Sequence, residues 1–184
     1  MHNRWEAISD YLEAVIQDAP GWVYGIALGF FIVGSAIAFI KKGRNEGVRV
    51  SARLFLLFYV IVMFCLTVFF RTTTTIKYPS FHFFWHYRVY GQKWNSLFPE
   101  IILNMAVFVP IGFALGLAFR KPKGWLVVLV GMGISVSIEL LQWFFMKGFA
   151  DVDDVMHNTF GCVMGCLLYF GMRRVVFSGR KVIL

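Results

Sequence analysis

Five apolar stretches, each near the length that crosses a hydrocarbon core, divide this chain of 184 residues into spans and short polar connections. They run from about Trp22 to Ile40, Leu54 to Phe70, Ile101 to Phe119, Trp125 to Met146 and Val155 to Met172. A helix of about 20 residues covers a bilayer core of about 30 Å. Inside lipid a chain must satisfy its backbone hydrogen bonds internally, which a helix does within one segment. The chain therefore reads as an all-α, polytopic membrane helical bundle of about five transmembrane helices. Composition excludes the soluble alternative: 59% of the residues are hydrophobic and 15% charged, against about 25% charged in an ordinary soluble domain.

The net charge of +8 does not point to nucleic acid. The basic residues stand in short clusters at the ends of the apolar runs, the pattern of membrane-flanking charge. The segments 41–53 and 120–124 and the tail from 173 together hold twelve of the eighteen Lys and Arg residues and one acid, Glu46. The remaining polar segments hold six basic residues and nine acids. Positively charged loops stay in the cytoplasm, so the expected topology places the N-terminus outside and the C-terminus inside.

Residues 1–20 space Trp5, Ile8, Leu12, Val15 and Ile16 at helical intervals with acids between them. That pattern suits an amphipathic segment on the membrane surface, and equally a solvated helix packed on its own loops. Its acids exclude a cleavable signal peptide. Residues 21–184 form a single transmembrane domain. Within it, 72–98 carries Tyr78, Phe81, Phe83, Phe84, Trp85, Tyr87, Tyr90 and Trp94, an interfacial or re-entrant segment with its rings at headgroup depth. Cys65, Cys162 and Cys166 all lie in apolar runs and read as small packing residues.

Under this topology one set of polar residues gathers at the outer headgroup level: Arg88, Asn104, Glu139, Gln142, Asp151, Asp153, Asp154, His157 and Asn158. Three stripes emerge from helical spacing. They are Ser135, Glu139 and Gln142; then Asn104, Phe108, Gly112 and Gly116; then Asp154, Asn158, Gly161 and Gly165. Small residues at intervals of four let membrane helices approach closely, and Pro110 is placed to loosen its helix. Glu139 is an ionisable residue within a span, where charge is costly and marks either a functional group or a structural hydrogen-bond partner, through Arg88 or Asn104. The acids Asp151, Asp153 and Asp154 either cap the fifth helix, through Asp153 or Asp154, or hold a divalent cation. His82 and His86 share a face if their segment is helical, and read as interfacial polar groups. No phosphate loop, dinucleotide fingerprint or nucleophile motif is present.

Three ordered motifs carry a resemblance to a known family. Asn104, Phe108, Pro110, Gly112 and Phe113 fall in the spacing N-x3-F-x-P-x-G-F; Ser135, Glu139, Leu140 and Gln142 in S-x3-E-L-x-Q; Asp151, Asp153, Asp154, Asn158, Thr159 and Gly161 in D-[IV]-D-D-x3-N-T-x-G. This set, over about 95–172, resembles the VanZ-like integral membrane proteins. There are departures: the family often has an Arg just before the acidic run, where this chain has Lys147 and Gly148, and its N-L-x-P-F lead-in is loosely echoed from Asn95 to Pro99. The resemblance implies a multi-pass protein of the bacterial cytoplasmic membrane associated with resistance to teicoplanin, a lipoglycopeptide. Such a protein would work at the outer leaflet, on or near a lipid-linked cell-wall precursor, with Arg88 available to pair with phosphate. The alternative is a membrane enzyme that modifies such a lipid, with Glu139 as general base and Asp153 and Asp154 as further catalytic or metal-binding groups. A transporter is disfavoured by five short spans without an inverted repeat.

Overall fold

The computed structural model describes residues 21–71, 94–147 and 150–178. The amphipathic segment 1–20, most of the aromatic segment 72–98, and with it Arg88, His82 and His86, lie outside the described residues. Every regular element among the described residues is a helix: α1 (Gly21–Phe64), a π-helical turn (Cys65–Phe69), α2 (Trp94–Ala118), α3 (Gly124–Phe144) and α4 (Val152–Ser178). Four segments are long and apolar enough to cross a membrane: Asn45–Phe69, Phe98–Ala118, Gly124–Phe144 and Val152–Val175; Leu28–Lys41 is a shorter apolar helix.

The helical run α1 is not one rod. Residues 34 and 54 of a straight helix would stand about 30 Å apart at 1.5 Å per residue. Instead a Cβ built on Gly34 would lie 2.7 Å from Leu54 Cδ1, and the rings of Phe31 and Phe55 pack edge to face at 5.9 Å. The chain therefore doubles back between Phe39 and Gly47, which are themselves in contact. The result is a hairpin with a first arm that includes Leu28–Lys41 and a second arm that begins at Asn45. Sequence reading had placed a connection over 41–53 and the second span from Leu54. The correction has a physical cause. Arg49 grips Glu46 one turn away, with Nε at 3.1 Å and Nη2 at 2.6 Å, so a charged stretch that reads as a loop is helical.

The second arm lies against α2. Arg53 Nε donates to the carbonyl of Ala118, the last residue of α2, at 3.1 Å. Tyr59 donates to the Val107 carbonyl at 3.0 Å, in the part of α2 that Pro110 weakens because it has no N–H to give. α2 and α4 form the closest pair in the bundle. A Cβ on Gly112 would collide with the Cys162 carbonyl, on Gly161 with the Met105 carbonyl, and on Gly165 with the Val109 carbonyl. Backbone meets backbone along this seam, the approach that small residues permit in membrane helices. α3 closes the other side, where Cys162 fits against Gly131 and approaches the Val127 carbonyl at 3.6 Å. Phe108, Ile111, Val127, Ile138 and Cys162 form the buried core, while Phe30, Ile40, Leu167 and Val175 are exposed. An apolar exterior of this kind suits lipid.

The alternation of helices sorts the ends of the bundle. The α1 hairpin bend, the α2–α3 connection and the end of α4 share one end, where Arg120 Nε reaches Glu46 Oε1 at 3.0 Å. The π turn, the α3–α4 turn and the start of α2 share the other.

Candidate functional site

At the second end the polar stripes foreseen from helical spacing face one another. Asn104 on α2 donates through Nδ2 to Asp154 Oδ1 on α4 at 2.7 Å. One turn deeper, Asn158 Nδ2 on α4 donates to Ser135 Oγ on α3 at 2.9 Å. Both Ser135 and Asn158 are buried. A buried amide in an apolar medium must find a partner, and here each polar residue finds it on a neighbouring helix. The glycines of the seam set the distance over which these short side chains meet.

Gln142 and Glu139 complete the α3 stripe. Gln142 Nε2 donates to the Thr67 carbonyl at 3.1 Å. Thr67 lies in the π turn, where the wider loop closes between Phe70 N and the Cys65 carbonyl at 2.9 Å. Such turns disturb the regular backbone ladder and often mark functional places in helices. Glu139 is buried, and its Oε2 accepts the backbone N–H of Asp151 at 3.1 Å. Of the two partners expected for Glu139, Asn104 instead serves Asp154, and Arg88 lies outside the described residues.

α3 ends in a tightly made turn. Lys147 N bonds the Gln142 carbonyl at 2.8 Å and Met146 N the Trp143 carbonyl at 3.3 Å. This is the Schellman pattern, with Met146 at φ 55° in the left-handed place that glycine usually fills. Lys147 Nζ also reaches the Arg71 carbonyl at 2.8 Å, tying the turn to the end of the π segment. Asp151 then caps α4: its Oδ1 accepts the Asp153 N–H at 2.9 Å. The cap was expected at Asp153 or Asp154. Asp151 takes it because α4 begins at Val152, ahead of the start expected near Val155, which leaves Asp153 and Asp154 in the first turn where the helix dipole favours negative charge.

The three aspartates do not act as one ligand set. Asp151 serves a backbone amide, Asp154 serves Asn104, and Asp153 is buried. Among the described residues no three His, Cys, Asp or Glu side chains come together in a way that would hold a metal ion. The amides of Asn104, Gln142 and Asn158 are each engaged in joining elements. What the end of the bundle offers is carboxylate oxygen, suited to hydrogen-bond donors or a cationic group.

Two residues that sequence reasoning passed over belong to this region. Arg71 and Glu100 are both within electrostatic reach of Glu139 and of Asp154. Arg71 follows the second span and Glu100 opens the third, so each looked like ordinary flanking charge. His157, placed here by spacing, is buried on α4.

A 76-residue stretch of the chain is 37% identical to Protein VanZ of Enterococcus faecium, covering 39% of this chain and 45% of that protein. The chain thus spans a little under half of that relative's length. No solved structure matches it. The VanZ/LLP1 family model matches residues 55–176, from the second arm of α1 through α4, and includes every helix that builds the polar end of the bundle. The chain is a multi-pass membrane protein and belongs to the VanZ/LLP1 family.

Proposed function

We propose that this protein contributes to teicoplanin resistance from the bacterial cytoplasmic membrane, with its carboxylate end exposed outside the cell, on or near a lipid-linked cell-wall precursor. The observation that carries the reading is the separation of charge along the bundle. Glu100, Glu139, Asp151, Asp153 and Asp154 lie at one end with two basic residues, Arg71 and Lys147, while Arg49, Arg53, Arg120, Lys121, Lys123, Arg173 and Arg174 lie at the other with one acid, Glu46. The positive-inside rule then turns the acidic end outward, into the compartment where a lipoglycopeptide meets its target. Carboxylate acceptors at headgroup depth match the amide and hydroxyl donors of such a precursor.

The test is expression in a teicoplanin-susceptible bacterium, with drug tolerance and membrane accumulation measured together. Asp154→Ala and Glu139→Ala are each expected to abolish tolerance while the protein still accumulates. Loss of accumulation in either variant would assign that residue to the fold. Cysteine labelling of the turn at 147–154 checks the topology, and protection of that turn from an impermeant reagent in intact cells would overturn the reading. A mass change in extracted precursor lipid that depends on Glu139 would replace binding with catalysis.

A further inference from the structure

The basic end of the bundle contains a cavity of about 310 Å³ between the α1 bend, α2 and α4. It is lined by three arginines, Arg49, Arg120 and Arg173, and by apolar residues that include Phe113, Tyr169 and Met172. Glu46 is bound to both Arg49 and Arg120. One carboxylate shared between the Arg49 and Arg120 guanidinium groups leaves an excess of positive charge. The Glu46 contacts engage Nε and Nη2 of each arginine, and a guanidinium carries five N–H donors, so donors remain beyond those Glu46 uses.

The apolar wall is built, not incidental. Tyr169 sits directly on Gly116, where a Cβ would strike its ring. Its ring also meets Phe113 edge to face at 6.3 Å. From this floor the surface continues outward over Met172, Phe119 and Val175, all exposed. A second cavity of about 210 Å³ also borders Phe119, and it adds Lys121, Lys123 and Trp125. Tryptophan and lysine together mark headgroup depth in a membrane protein.

We propose that this cavity is a binding site for an anionic phospholipid of the leaflet at the basic end. Its volume admits a phosphate with its glycerol and is too small for a whole lipid. The acyl chains therefore lie outside, along the exposed apolar surface of Met172 and Val175. Basic pockets between membrane helices recognise anionic headgroups by the same chemistry, and arginine pairs with phosphate through two parallel N–H donors. This site lies at the opposite end from the carboxylate cluster, and it stands whether or not that cluster acts on a cell-wall precursor.

The experiment is native mass spectrometry of the full-length protein released from phosphatidylcholine vesicles with and without phosphatidylglycerol. Arg120→Gln with Arg173→Gln is expected to reduce retained phosphatidylglycerol about tenfold while phosphatidylcholine retention stays level. Glu46→Gln breaks the same ion pairs but frees the arginines, so it is expected to hold phosphatidylglycerol at least as well as the wild type. Three results would overturn the proposal: equal retention of the two lipids by the wild type, an equal loss in Glu46→Gln and the arginine variant, or displacement of the lipid by millimolar inorganic phosphate. The first would make the surface a general lipid contact. The second would make the arginines purely structural, and the third would point to a soluble phosphate as the occupant.

Discussion

The seam between α2 and α4 and the first arm of α1 are both apolar and helical, yet they are packed on different principles. Along the seam, Gly112, Gly161 and Gly165 bring carbonyls against neighbouring backbone, and no added carbon fits. In the first arm a Cβ on Gly25 or Gly29 would meet nothing within 4 Å. The arm rests on the rest of the chain through large side chains, Phe31 on Phe55 and Leu54 over Gly34. Side-chain contacts can rearrange, whereas backbone contacts fix one helix separation. Asn104 and Asp154 are short side chains that join only at that separation. The seam is therefore the ruler for the polar site, and the family match, which begins at residue 55, takes in the ruler and leaves out the first arm.

The largest expected effect comes from breaking the ruler. Gly161→Val and Gly165→Val force α2 and α4 apart, an overpacking cost of roughly 1–3 kcal/mol or more. The purified variants should lose their monodisperse elution in detergent, or melt well below the wild type. Wild-type stability in both would mean that the helices do not touch as closely as this. A gentler version uses α3. Gly131→Ala drives a methyl into Cys162 Sγ, and pairing it with Cys162→Ala removes that sulfur but leaves the Cys162 Cβ at 2.9 Å. Thermal melts of the two singles and the double should show recovery of part of the Gly131→Ala loss, and never all of it.

Next in size is the polar pair that the ruler serves. A double-mutant cycle on Asn104→Ala and Asp154→Ala isolates their coupling from the effect of either alone. Interhelical hydrogen bonds in membrane proteins average about 0.6 kcal/mol and reach about 1.7, and this pair should fall in that range by reversible unfolding in detergent. The same cycle run in a Gly161→Ala background should show the coupling collapse, because the amide no longer reaches the carboxylate. A coupling unchanged in that background would separate the site from the seam.

Much of this architecture was written in residue spacing. The three stripes appeared as intervals of three and four, and the structure joins them pairwise: Asn104 with Asp154, Ser135 with Asn158. Spacing shows which residues share a face, and burying polar groups in lipid leaves them few partners but one another. Other features depend on choices that spacing cannot express. The helical extent of the first hairpin's second arm escaped because Lys41, Lys42, Arg44, Arg49 and Arg53 depress hydropathy at a helix bend as much as they would in a loop. Arg71 and Glu100 were missed because flanking charge looks the same whether it faces water or leans toward Glu139. The cap at Asp151 required knowing where α4 starts to within two or three residues, a question that three neighbouring aspartates leave open.

The smallest expected effect tests the other half of the comparison. Gly29→Ala in the first arm adds a methyl with nothing within 4 Å. In a helix interior alanine is favoured over glycine by roughly 0.5–1 kcal/mol, because it loses less backbone freedom on ordering. The variant should therefore melt at the wild-type temperature or slightly above it, and teicoplanin tolerance should not change. Destabilisation on the scale of the seam glycines would show that the open face at Gly29 is covered in the membrane. A second copy of the chain would be the first occupant to test, by crosslinking through Gly29→Cys. The first arm would then be an interface with its own fixed distance, and the contrast between side-chain packing and backbone packing would no longer divide the molecule where residue 55 does.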